Sequence, residues 1–419
     1  MSSNCLRRIE SCVLLKGRTV PEYVGSPHLK LHNVIWSNAP QNIYVVKKPW
    51  NAKATHALLE IVKYIQSDFP GLNVVVAPQV ADELRANRDV NEKFTVYTGT
   101  SSEIVAKTDM IVALGGDGTT LRAVSAFLNG SVPPVLSFAM GTLGFLLPFD
   151  FTKFKETIRC VIESRSKALH RKRLECHVVR KSEPNEALSA ADGSQTAVAD
   201  ELNDELALQH RLAPYNQHHN SHMLFAMNDI YLHRGSQPNL VQLDIYIDNE
   251  FLTTTKADGV VFATPTGSTA YSLSSGGSIV HPLVPCILLT PVCPRSLSFR
   301  PLVLPATSHI MVKLSDRNRN QTIQMNIDGI PQLNLQQGDE IHVINEHGAI
   351  YTPDSHMKLS LEPRKGFDEH EPAMNYRPDS MAESPRGIFC IAKPKNYWTR
   401  GINELLGFNS SFGGSKAHP

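Results

Sequence analysis

The stretch "ALGGDGTTLRAV" (113–124) sets three glycines, an aspartate and two threonines between a hydrophobic run and a segment with helical spacing. Glycine-rich turns between a strand and a helix suit phosphate, because bare amides and the helix dipole favour anions. Gly115, Gly116, Gly118 and Thr119 fit that use, but the carboxylate of Asp117 would repel the phosphate they are suited to hold. Either Asp117 does chemistry at the anion site, or the pentapeptide is a tight Asp-Gly turn that ends a strand. The loop lacks the lysine and spacing of G-x-x-x-x-G-K-[ST], and it lacks the third glycine of G-x-G-x-x-G in register.

Three further segments carry groups that could serve the same site. "SFAMGTLGFLLPF" (137–149) places glycines and Phe145 at another strand end, where a base or ribose could pack. "MNDIYLHRG" (227–235) sets Asn228 and Asp229 side by side in an apolar strand. Neighbours on a strand face opposite ways, so one of the two should be buried and need a partner, unless the strand bends or ends there. "KADGVVFATPTGSTAYSLSSGGSIVHP" (256–282) gathers Asp258, Thr264, Thr266, Ser268, Thr269, Tyr271, Ser272 and Ser274 around turns at Pro265, Gly267, Gly276 and Gly277. A hydroxyl-lined, glycine-hinged loop suits a polyhydroxylated ligand such as a dinucleotide; a serine-rich loop can equally be plain solvated surface.

The elements that must position these groups follow a pattern. "QNIYVVKKPW" (41–50), "LNVVVAP" (72–78), "TDMIVAL" (108–114) and "PPVLSFA" (133–139) read as buried strands. Between them, "NAKATHALLEIVKYIQSDF" (51–69) has Ala57, Leu58, Ile61, Val62 and Ile65 on one helical face, with Asn51 placed as an N-cap. A helix over 154–164 follows. Strand–helix alternation predicts a parallel α/β sheet with its ligand at the strand carboxyl ends, where the GGDGT turn sits. Beyond residue 165 the rhythm becomes all-β, so the predicted organisation is an α/β domain over 36–165 and a mostly β-sandwich domain over 166–361. Within the latter, 183–220 is rich in Ala, Ser, Asn, Gln and His without apolar periodicity and reads as a flexible insertion. A polar linker over 362–385 precedes a C-terminal extension, 386–419, apolar enough to dock on the body.

The chain has 419 residues and a formal net charge of +1, so nothing global points to nucleic acid. No run approaches the length of a membrane span, and no membrane insertion is expected. Seven scattered cysteines without a C-x-x-C pair read as reduced thiols. The first 35 residues are basic, with Arg7, Arg8, Lys16 and Arg18 set against Leu6, Ile9, Val13 and Leu14 on a helical wheel. That is the amphipathic pattern of a mitochondrial targeting segment, and delivery to the matrix is expected.

GGDGT, the Asn-Asp pair and "TPTGSTAYSLSSGG" resemble the NAD kinase family in order and spacing, over roughly residues 40–360, and the match is nearest to its fungal mitochondrial branch. GGDGT is shared with diacylglycerol and sphingosine kinases, whereas the third block is specific to NAD kinases. The resemblance implies transfer of the γ-phosphoryl of ATP to the adenosine ribose 2′-hydroxyl of NADH and NAD⁺. Gly115, Gly116, Gly118 and Thr119 would bind phosphate, and Asp117 would orient the acceptor hydroxyl and take its proton late. An ordinary aspartate, pKa about 3.9, is too weak to deprotonate an alcohol beforehand, so orientation is its larger share. Magnesium would arrive on ATP, with no dedicated protein metal site. Asn228 would bond the adenine moiety and Asp229 a ribose hydroxyl, where many members carry glutamate. Asp258 would lie near the nicotinamide amide; Leu121, Thr266, Thr269, Ala270, Tyr271 and Ser274 would line the groove, with Phe145 on a base. Asp328, in "NIDGIPQ", belongs to a further family motif and would also contact the dinucleotide. Preference for NADH over NAD⁺, and assembly into a homo-oligomer (a dimer or higher), come from the resemblance alone. Two other readings remain at this point: a lipid kinase sharing GGDGT, which would need an apolar acyl pocket, and a non-catalytic dinucleotide sensor, which would not need Asp117.

Overall fold

The computed structural model describes residues 7–25, 30–86, 94–128, 130–141, 144–180, 221–346, 387–393 and 397–407. The expected insertion at 183–220 and linker at 362–385 lie outside them.

The first unit is an eleven-stranded sheet. Ten of its strands are β1 (Arg7–Ser11), β2 (Glu22–Val24), β3 (His32–Ile35), β4 (Asn42–Lys47), β5 (Asn73–Val75), β6 (Phe94–Thr98), β7 (Met110–Gly115), β8 (Val135–Ala139), β9 (Phe149–Asp150) and β10 (Lys167–Arg171). Between them run helices α1 (Ala52–Asp68), α2 (Pro78–Ala86), α3 (Ser101–Lys107), α4 (Asp117–Ser125) and α5 (Phe154–Ile162). Strands β4 and β7 are buried along their whole length, following their apolar runs Ile43–Val46 and Met110–Leu114. Asn51 caps α1 by accepting the Ala54 N–H at 2.9 Å, and the predicted face Ala57, Leu58, Ile61, Val62 and Ile65 is buried. Thr100 and Glu103 form a capping box on α3.

The second unit takes up β11 (Leu174–Val179), β12 (Ser221–Ala226), β13 (Asp229–His233), β14 (Val241–Ile247), β15 (Glu250–Ala257), β16 (Gly259–Ala263), β17 (Cys286–Val292), β18 (Leu302–Pro305), β19 (Ile310–Leu314), β20 (Thr322–Ile327), β21 (Ile330–Pro331), β22 (Leu335–Gln336) and β23 (Glu340–Asn345). A six-stranded sheet, β12-β11-β23-β19-β14-β15, shares one apolar core with a seven-stranded sheet, β18-β17-β16-β13-β20-β21 with β22 on β20. Its wall includes Cys176, Leu243, Ile341 and Val343 from one sheet and Ile230, Val260, Phe262 and Met325 from the other. The expected sandwich is therefore present. Val179, the last residue of β11, pairs with Ser221, the first of β12, so the intervening insertion leaves and returns at one point.

The structure departs from the expected boundaries in two places. Within residues 1–35, expected as a targeting segment outside the α/β domain, β1 pairs in parallel with β6, and β3 pairs with β10. The amphipathic helix expected around Ile9 and Val13 is instead a strand followed by the short 3-10 turn Cys12–Leu14, with Val13 and Leu14 exposed. Asp109 shows why this segment is held: its carboxylate accepts the N–H groups of Thr19 (2.6 Å), Gln41 (2.6 Å) and Asn42 (2.8 Å). Secondly, the C-terminal extension supplies β24 (Ile388–Ala392), which enters the sheet between β8 and β10. It then forms α6 (Tyr397–Leu406). The two units meet where the chain passes from β10 to β11, and there the buried Arg173–Glu346 ion pair also takes the Gly387 N–H at 3.0 Å.

Candidate active site

Strand β7 ends at the carboxyl edge of the sheet, and α4 begins at once with Asp117 as its first residue. The Asp117 carboxylate is fixed by the loop after β8: Oδ2 accepts the Phe145 N–H and Oδ1 the Leu146 N–H, both at 3.0 Å. Burial pushes this carboxyl above its ordinary value, opposed by the two amides and by the Arg171 guanidinium. Each carboxylate oxygen keeps acceptor capacity beyond its one amide, so the group can still receive a hydroxyl proton.

The glycines around Asp117 divide into two kinds. A Cβ on Gly115 would stand 2.2 Å from Thr119 Oγ1, and one on Gly144 would stand 2.2 Å from Asp117 Oδ1. Those two are required by packing inside the protein. A Cβ on Gly116 or Gly118 would meet nothing within 4 Å. Their missing side chains leave open space beside a helix start that no side chain caps, which is the arrangement an anion needs. Thr119 is buried, its hydroxyl accepting the Gly116 N–H at 3.4 Å. Leu121, one turn further along α4, is half-buried against the apolar layer beneath.

The apolar stretch around Asn228 and Asp229 is two strands, β12 and β13, which belong to different sheets. The break falls at Met227–Asn228, so both polar residues are buried at a corner. Asp328 makes the corner: its carboxylate accepts the N–H groups of Met227 (2.8 Å), Asn228 (2.7 Å) and Asp229 (3.1 Å). Asp328 and Gly329 both have positive φ (51° and 78°), as the two-residue turn joining β20 to β21 demands. Expected as a dinucleotide contact, Asp328 spends its side chain on backbone amides. Burial and the Asp328 charge push the Asp229 carboxyl up to about 7. The Asn228 side-chain oxygen is buried without a hydrogen-bond partner among the described residues. A buried orphan acceptor costs about 1–3 kcal/mol, so this atom is suited to a ligand's donor.

The hydroxyl-rich loop follows β16 and packs on this corner; a Cβ on Gly267 would stand 2.1 Å from the Asn228 carbonyl oxygen. Several of its hydroxyls are consumed in shaping it. Thr264 donates to the Met227 carbonyl (2.7 Å) and accepts the Gly267 N–H (3.0 Å). Ser268 donates to the Pro265 carbonyl (2.7 Å), and Ser272 bonds Thr290 (2.8 Å). Thr266 is buried, Thr269 and Ala270 are half-buried, and Tyr271 and Ser274 are exposed. Thr269 donates to the Thr266 carbonyl at 3.3 Å. The Tyr271 ring meets Tyr231 edge to face at 4.8 Å, and their hydroxyls lie 3.4 Å apart. Asp258 stands at the far end of β16, about 17 Å from the corner by strand rise, and is paired with Arg234 at 2.6 Å. At Asp258 the chain passes from β15 in one sheet to β16 in the other.

Arg171 did not emerge from the sequence as a site residue. It is buried at the end of β10 and donates from Nη1 to Thr266 (3.0 Å) and from Nη2 to the Phe145 carbonyl (3.4 Å). It thus links the loop that holds Asp117 to the hydroxyl-rich loop. Within "HRKR" it looks like one surface cation among three; the only signal was its place between the two domains.

Comparison with known proteins identifies the family. Residues 43–166 match the ATP-NAD kinase N-terminal domain and residues 227–352 the ATP-NAD kinase C-terminal domain. The chain is 46% identical over 408 residues to the mitochondrial NADH kinase POS5 of Saccharomyces cerevisiae, covering 95% of this chain and 88% of that one. It is 36% identical over 325 residues to the mitochondrial NADH kinase of Schizosaccharomyces pombe, covering 76% and 72% of the two chains. The crystal structure of yeast NADH kinase complexed with NADH superposes with a TM-score of 0.76 at 44% identity, covering 99% of this chain and 100% of that one. By these matches the chain belongs to the NAD kinase family.

Proposed function

We propose that this chain phosphorylates the adenosine ribose 2′-hydroxyl of NADH, and of NAD⁺, with ATP as donor. The observation that carries the reading is the Asp117 carboxylate, held by two amides beside two glycines whose side-chain space is open. The Gly116–Thr119 turn receives the triphosphate. Asp117 orients the ribose hydroxyl in line with the γ-phosphorus and accepts its proton as the bond forms. Asn228 offers its orphan oxygen to the adenine amino group and Asp229 accepts from ribose. Thr266, Thr269, Ala270, Tyr271 and Ser274 line the groove, with Phe145 on a base and Asp258 toward the nicotinamide end.

Magnesium belongs to the nucleotide substrate; bound to the triphosphate, it neutralises charge that Asp117 would otherwise oppose. Among the described residues no three His, Cys, Asp or Glu gather to hold a metal, and Asp117 is the acidic residue of α4's first turn. Preference for NADH and mitochondrial location are supported by the names of the two fungal relatives, and delivery to the matrix only by the basic composition of the first residues, of which 7–18 are folded onto the sheet. Self-association into a dimer or higher oligomer is supported by the exposed Phe251 and Leu252 on the sheet-edge strand β15. Among the described residues no helix is long and apolar enough to cross a membrane.

Steady-state NADPH and NADP⁺ formation from NADH and NAD⁺ at matched ATP tests the reading. A larger kcat/KM with NADH is expected, and absence of both products would overturn it.

A further inference from the structure

Arg171 is 3% exposed and meets three separate elements. Its guanidinium donates to Thr266 Oγ1 in the hydroxyl-rich loop and to the Phe145 carbonyl in the loop after β8. It also bonds the Cys390 thiol in β24. The peptide group whose oxygen faces Nη2 is the one whose N–H, that of Leu146, donates to Asp117 Oδ1 at 3.0 Å. One peptide plane therefore carries a cation on its oxygen and the catalytic carboxylate on its nitrogen. Hydrogen bonds in such a chain polarise and strengthen one another.

We propose that Arg171 is a positioning residue for phosphoryl transfer, fixing the aim of Asp117 through the Phe145–Leu146 peptide and tying it to the dinucleotide loop through Thr266. The inference rests on the reading of Asp117 as the residue that serves the ribose hydroxyl. A guanidinium is suited to the task because its planar fork spans two acceptors in fixed geometry, which a lysine ammonium does not. Around the fork stand the Asp117 carboxylate, the Cys390 thiol and the His281 imidazole. Burial pushes the thiol up, and burial together with Lys30 and Arg171 pushes the imidazole down, so both are biased toward their neutral forms. The carboxylate is thus the charge that Arg171 balances, and it opposes the effect of burial on Asp117.

The test uses the full chain with Arg171→Met and Arg171→Lys, measuring kcat and KM for NADH from pH 5 to 9. Melting temperature and NADH binding report folding. Misplacing a reacting group by about 1 Å can cost on the order of 10²-fold in rate. Arg171→Met should therefore lose about 10²-fold in kcat with KM for NADH changed less than about threefold. Its acid limb should move to higher pH, because Asp117 loses the charge that holds its proton off. Arg171→Lys keeps the charge and loses the fork, so kcat should fall about tenfold with the acid limb close to that of the wild type. A folded Arg171→Met with unchanged kcat and pH profile overturns the proposal, as does a loss confined to KM. If Arg171→Met does not fold, an unchanged kcat in Arg171→Lys overturns it. A wild-type chain that forms no NADPH overturns the kinase reading and this proposal together; an active wild type with indifferent Arg171 variants overturns this proposal alone.

Discussion

The Asp328 carboxylate accepts the backbone N–H of Asn228 at 2.7 Å, and this contact fixes the corner at which β12 ends and β13 begins. Neither residue could be placed by its own neighbours in sequence, because the two are a hundred positions apart. With the backbone pinned, the Asn228 side chain is held in place with its oxygen unpaired. Asn228→Ala should weaken NADH apparent affinity by roughly ten- to hundredfold and leave ATP affinity nearly unchanged. Apparent constants for each substrate measured separately check this; equal losses for both would make the residue a fold contact only.

The open space beside Gly118 separates fold from function at one atom. Alanine is the better helix former, so Gly118→Ala should stabilise the protein by about 0.5–1 kcal/mol while its methyl enters the phosphate space. The expected result is a higher melting temperature with KM for ATP raised roughly tenfold or more. A variant that melts higher and keeps the wild-type KM for ATP would place the phosphates elsewhere.

Burial raises Asp328 to about 6, and burial with the Asp328 charge raises Asp229 to about 7. Both lie above the ordinary value of about 3.9, so between these limits the folded chain holds protons that the unfolded chain has released. The pair's contribution to stability is full below about pH 4 and is lost as pH rises through about 6 to 7. Melting temperature of the ligand-free protein should fall across that window, and less steeply in Asp229→Asn. Parallel curves for the two proteins would show that the pair does not set the slope.

Residues 7–35 supply β1, β2 and β3, with Lys107 reaching the Leu15 carbonyl at 2.6 Å and Arg18 the Ser131 carbonyl at 2.7 Å. Deleting residues 1–6 should leave solubility and kcat unchanged. Deleting residues 1–36 should lower the melting temperature by many degrees or abolish soluble expression, because it strips β6 of its edge partner and Asp109 of one amide. Yield and thermal melts of the two truncations decide the matter; a stable, active 37–419 chain would mean that the segment is dispensable.

The GGDGT turn, its strand and its helix were legible in the sequence because each is built from local signals: an unbroken apolar run, a glycine turn and helical spacing. The corners at Asn228 and Asp258 were not, because both flanks are apolar strand and only tertiary partners, Asp328 and Arg234, show where the chain turns. The alternative of a bent or ended strand at Asn228 was the one that holds. Residues 6–18 read as a helix because four basic and four apolar residues in a short segment satisfy a helical wheel, whereas the pairing of β1 with β6 outweighs local propensity. The entry of β24 between β8 and β10 is a pairing across more than two hundred residues, beyond the reach of any local pattern. Of the hydroxyls in the 256–282 loop, composition could not separate those that shape it, such as Ser268 and Ser272, from those left for a ligand.

The central claim is that Asp117 serves the acceptor hydroxyl in ATP-dependent phosphorylation of the dinucleotide. The most direct measurement is NADPH formation from NADH and ATP by wild-type and Asp117→Asn protein, with NADH binding measured on the same samples. Asparagine keeps the size but not the charge, and losing a group in this role costs about 10²–10⁴-fold. The account predicts an active wild type and a folded variant that binds NADH yet forms product at least 10²-fold more slowly. An Asp117→Asn enzyme that folds and retains more than about a tenth of wild-type turnover would contradict it.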